Sequence, residues 1–118
     1  MYFERSGKQN TEKTLEIVKR AVNERGIKHV VVASSGGYTA KQFKEANLGV
    51  NLVCVTHVAG FETPGEIEMP EEIRRELAQA GVKVLTTTHV LSGAERGISR
   101  KFGGVYPVEI IANSLRML

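Results

Sequence analysis

The chain has one cysteine, Cys54, so no disulfide can form within it. Cys54 lies in the apolar run Leu52-Val53-Cys54-Val55, where a thiol is expected to be buried packing rather than a nucleophile. No apolar stretch approaches the roughly 20 residues of a membrane helix, which excludes a span of that kind. The start, Met1-Tyr2-Phe3-Glu4-Arg5, lacks the basic region and apolar core of a secretion signal, so a cytoplasmic location is the expectation. Aromatic residues are few, three tyrosines and four phenylalanines, and no basic stripe is interleaved with them; nucleic acid is not an expected partner. Neither a Walker phosphate loop, nor Gly-x-Gly-x-x-Gly, nor His-Glu-x-x-His occurs, and the three histidines are scattered, so no metal is expected.

What is there is ordinary globular material: 118 residues, 42% apolar and 25% charged, enough for one domain with one core. The net charge of +3 suits a small anionic ligand. Three β-branched runs read as buried strands, over 28–33, 51–56 and 82–87, and near-continuous apolarity suggests cover on both faces. A helix is expected over 11–25, with Leu15, Val18 and Val22 on one stripe, Asn10 as N-cap and Gly26 as the stop. Pro70 opens another, over 71–80, whose Ile73 and Leu77 share a side and whose end is marked by Gly81. Gly103-Gly104 and Pro107 mark a break before a last helix, with Val108, Ile111, Leu115 and Leu118 on an apolar stripe. Strands alternating with helices imply a parallel sheet in a three-layer α/β/α domain, with Tyr2-Phe3 as a short edge strand.

Ligands of such sheets bind outside the carboxyl ends of the strands. The first strand runs into Ser34-Ser35-Gly36-Gly37 and then a helix opening at Tyr38-Thr39, a candidate phosphate cradle in which free helix N–H groups and hydroxyls face an anion. A plain connecting turn explains the same residues. The second strand runs into Thr56-His57 and the third into Thr86-Thr87-Thr88-His89, so hydrogen-bonding side chains gather at all three ends. Downstream, Ser92, Gly93, Arg96, Ser99, Arg100 and Lys101 form a segment that fits either a phosphate clamp or a solvated basic helix. His29 is expected to face solvent. In the long loop after His57, Glu62, Glu66 and Glu68 are expected to be solvated charge.

Ser34-Ser35-Gly36-Gly37-Tyr38-Thr39-Ala40, a short helix and then Val53-Cys54-Val55-Thr56 resemble the carboxy-terminal α/β domain of pyruvate kinase. Thr56-His57 through Gly60-Phe61, Glu68-Met69-Pro70, and the long segment from His89-Val90-Leu91-Ser92-Gly93 to Lys101-Phe102-Gly103-Gly104 are similar to a family of stand-alone prokaryotic, mostly archaeal, proteins with that domain. The resemblance implies a phosphate site at the Ser/Thr-rich loop and, from the stand-alone family, flavin mononucleotide (FMN) as ligand. It does not imply pyruvate kinase activity, because that chemistry belongs to a separate barrel domain. Members of the stand-alone family run past the point where this chain stops, and their further strands complete the sheet; a truncated relative, its open edge covered by a second copy, is the corresponding expectation. The leading reading is therefore a binding domain for a phosphorylated small molecule. Three alternatives stay open: an enzyme acting on a phosphorylated metabolite, with His57 or His89 as general acid–base and Arg96 or Arg100 clamping phosphate, a flavin-dependent redox protein, or a purely structural subunit whose strand-end groups bind nothing in particular.

Overall fold

A computed structural model describes residues 2–60, 62–88 and 91–117. The chain divides into two compact units, 1–86 and 87–118, and each is described by itself.

The first unit begins with a short 3-10 turn, Lys8–Asn10, that leads into α1 (Thr11–Arg25). There follow β1 (His29–Ala33), α2 (Tyr38–Glu45), β2 (Asn51–Val55), α3 (Glu71–Gln79) and β3 (Lys83–Leu85). All strands are parallel in the order β1-β2-β3. The α/β class and the parallel sheet are as the sequence implies. Sequential strand order with crossovers of one hand places both connecting helices on the same face of the sheet. The core agrees: Val32, Leu52 and Cys54 point into one cluster with Ala40 and Phe43 of α2 and Leu77 of α3, and Leu15 and Val18 of α1 pack against it. Burial of this kind, worth about 25 cal/mol per Å² of apolar surface, is the main force holding the unit together.

The opposite face carries the alternate residues. Val31 is 68% exposed and Leu85 49%, and Val53 and Val55 are half-buried. Within this unit the described helices therefore cover one face, although apolar runs suggested cover on both. Alternation explains the difference: Val and Leu stand on both sides of these strands, so the run length alone does not say which side is packed.

Local signals are mostly obeyed. Gly26 stops α1 in the left-handed conformation at φ +62°, and Gly81 also has a positive φ, +86°, after α3. Two expectations fail. Asn10 does not cap α1; the preceding turn has already brought its backbone into helical dihedrals, and its amide side chain donates instead to the Arg5 carbonyl. Tyr2-Phe3 forms no strand, and Tyr2 is fully exposed.

The second unit contains α4 (Ser92–Phe102) and α5 (Pro107–Arg116), with Pro107 in the first turn of α5 as expected. Glu95 is only 8% exposed, and its carboxylate accepts a hydrogen bond from the Arg116 guanidinium, which supplies the charge that a buried carboxylate requires. On α5 only Ala112 is fully buried; of the apolar stripe Val108 is half-buried, Ile111 and Leu115 are about half exposed, and Leu118 lies outside the described residues. Among the described residues no helix is long and apolar enough to cross a membrane.

Candidate functional site

The register of the sheet pairs Ala33 with Val55 and Val55 with Leu85, and the ladder continues one step further through Ser34 N–H to the Val55 carbonyl (3.0 Å) and Thr56 N–H to the Leu85 carbonyl (2.9 Å). Ser34, Thr56 and Thr86 are thus consecutive positions of one row across the carboxyl edge of the sheet. Because side chains alternate along a strand, all three belong to the face that carries the helices.

The contacts follow from that placement. At the β1 end, Ser34 is buried and its Oγ accepts the Ala40 N–H of α2 at 3.3 Å, satisfying one of the amides that a helix start leaves over. Its carbonyl is approached by the Cys54 thiol at 3.8 Å, and burial pushes that thiol up from its ordinary pKa, as expected for a packing cysteine. At the other end, Thr56 Oγ1 and Thr86 Oγ1 are 2.7 Å apart, Thr56 Oγ1 is 3.0 Å from the His57 carbonyl, and Arg74 Nη1 of α3 donates to Thr86 Oγ1 at 2.7 Å. A hydroxyl has one proton, so Thr56 cannot serve both partners. The arrangement that uses each proton once runs from Arg74 to Thr86, from Thr86 to Thr56, and from Thr56 to the His57 carbonyl.

Ser35 and Gly36 stand exposed at the mouth of the turn, and a Cβ at Gly36 would meet nothing within 4 Å. Gly37 is different. It is buried with φ +92°, and a Cβ there would lie 2.4 Å from Ile73 Cγ2, so its lack of a side chain serves helix packing. Thr39 lines a groove of about 340 Å³ between α1 and β1, together with Thr14, Ala33 and Phe43.

His57 Nδ1 lies 2.6 Å from Glu68 Oε1, so the long loop is tied back to the end of β2, and Glu68, exposed as expected, is paired. His29, exposed as anticipated, is 3.3 Å from the Asn51 amide. Two residues of this neighbourhood, Arg74 and Glu68, were not among the sequence candidates for binding. Arg74 lies beside Arg75 on a helix rich in charge, and only its contact with Thr86 distinguishes it.

The remaining candidates fall in the second unit. Ser92 opens α4, and Gly93 has a normal helical φ and open space around it. Arg96 lies 3.7 Å from Glu95, Ser99 Oγ donates to the Gly104 carbonyl at 3.2 Å, and Arg100 is exposed in the last turn. His89 lies outside the described residues. Among those described, no group of three His, Cys, Asp or Glu side chains is placed to hold a metal.

The strand-end loops, the parallel sheet and the helix that opens after Ser34-Ser35-Gly36-Gly37 have a counterpart among known families. The family model described as "Pyruvate kinase, alpha/beta domain" matches residues 12–118, nearly the whole chain, and the protein belongs to that family.

Proposed function

We propose that this domain binds a phosphorylated small molecule at the carboxyl edge of its sheet, with FMN, the ligand the resemblance to the stand-alone family implies, as the candidate. The observation that carries this reading is the exposed Ser35-Gly36 turn at the start of α2, which stands at one end of the in-register row of Ser34, Thr56 and Thr86. A phosphate monoester needs several donors around one point and room for backbone to approach. The Ser35 hydroxyl and the Tyr38 and Thr39 N–H groups at the start of α2 are the donors, and the open space at Gly36 is the room. FMN, when bound, would bring a redox-active ring; the chain's own part is to hold the phosphate and fix the orientation of the molecule.

Ser35→Ala is expected to weaken FMN binding by about one to two powers of ten, because a charge-assisted hydrogen bond is worth roughly 1.5–3 kcal/mol. Gly36→Val should weaken it further by filling the approach, while the melting temperature stays near wild type. Quenching of flavin fluorescence at fixed salt measures the first and thermal unfolding the second. Variants that bind like wild type would show that the turn only connects β1 to α2.

The enzyme reading has one observation in its favour, the 2.6 Å contact between His57 and Glu68, which holds the imidazole in one orientation as a general acid–base requires. Under that reading His57→Gln abolishes turnover of a phosphorylated metabolite and spares its binding.

A further inference from the structure

Of the basic side chains Lys41 of α2 and Arg74 and Arg75 of α3, two are neutralised. Lys41 pairs with Glu76 at 2.7 Å, and Arg75 pairs with Glu71 at 3.2 Å. Arg74 is the exception: it is half-buried, its guanidinium meets the Thr86 hydroxyl, and among the described residues no carboxylate pairs with it. A partly desolvated cation without a counter-charge is costly to keep unless something of opposite polarity meets it. A guanidinium has five N–H donors in a planar fork, and Thr86 takes one.

Thr86 lies at the end of β3 and the Ser35-Gly36 turn follows β1, two strands away, which at about 4.8 Å per strand puts them roughly 10 Å apart. We propose that Arg74 binds the ligand directly, and that the ligand carries a second set of oxygen acceptors about 10 Å from its phosphate, spanning the end of β2. This deepens the phosphate-site reading and rests on it. The specificity it adds is for length: inorganic phosphate reaches the turn alone, whereas FMN carries carbonyl oxygens on the ring far from its phosphate and engages both ends.

The test is a titration with FMN, followed by fluorescence quenching, and a competition of inorganic phosphate against it. Arg74→Gln should weaken FMN about tenfold or more and leave the inhibition constant of phosphate unchanged, whereas Ser35→Ala should weaken both. Arg74→Lys, which keeps the charge but loses the fork, should fall between wild type and Arg74→Gln at an unchanged melting temperature, and it serves if the glutamine variant fails to fold. Arg74 variants that bind FMN as wild type does, or that lose FMN and phosphate in parallel, overturn this inference and leave the phosphate site standing. Wild-type protein that binds no FMN overturns both.

Discussion

Gly37→Val is expected to be the most damaging single substitution in the first unit. Gly37 is held at φ +92° at the start of α2, and an added Cβ would lie 2.4 Å from Ile73 Cγ2 and 3.7 Å from Met69 Cε. Left-handed backbone costs an L-residue about 1–2 kcal/mol, and forcing extra volume into a packed core costs about 1–3 kcal/mol. The sum, roughly 2–5 kcal/mol, is a large fraction of the 5–15 kcal/mol that stabilises a typical domain. Ile73 is β-branched and stiff at χ1, so it has little freedom to move aside. Urea unfolding should show the midpoint falling steeply for Gly37→Val and hardly at all for Gly36→Val, one residue away. Equal midpoints would mean that α2 and α3 are not packed through this glycine.

Leu77→Ala should produce the next largest loss. Leu77 is 2% exposed in the middle of the core, where Cys54 is fully buried, and its carbonyl accepts the Val82 N–H that turns the chain from α3 into β3. Truncation removes apolar contacts and leaves a cavity, at a cost of about 2–5 kcal/mol. The cooperative unfolding free energy from the same urea series measures it. A loss under about 1 kcal/mol would show that α3 is not the lid of the core.

Most of the fold is legible in the order of the amino acids. The 3.6-residue periodicity of Leu15, Val18 and Val22, and of Ile73 and Leu77, gives the helices their faces, and Gly26 and Gly81 mark their ends. The site is legible in pieces. Each strand visibly ends in a hydroxyl, but that Ser34, Thr56 and Thr86 form one row depends on register, which is fixed by crossover length and by packing of the covered face. Arg74 looks like Arg75 in the sequence; only the meeting of α3 with the end of β3 separates a surface cation from one held on Thr86. The pairing of Glu68 with His57 depends on the path of an irregular loop. Glu95 is buried because Arg116, 21 residues later on a different helix, reaches it.

The central claim is that the strand-end turn recognises a phosphate. The most direct measurement compares wild-type affinity for FMN with that for riboflavin, which has the same ring and lacks the phosphate. FMN is expected to bind more tightly by at least about tenfold, with the difference shrinking as salt is raised, since charge-assisted contacts are screened. Equal affinity for the two flavins would contradict the account.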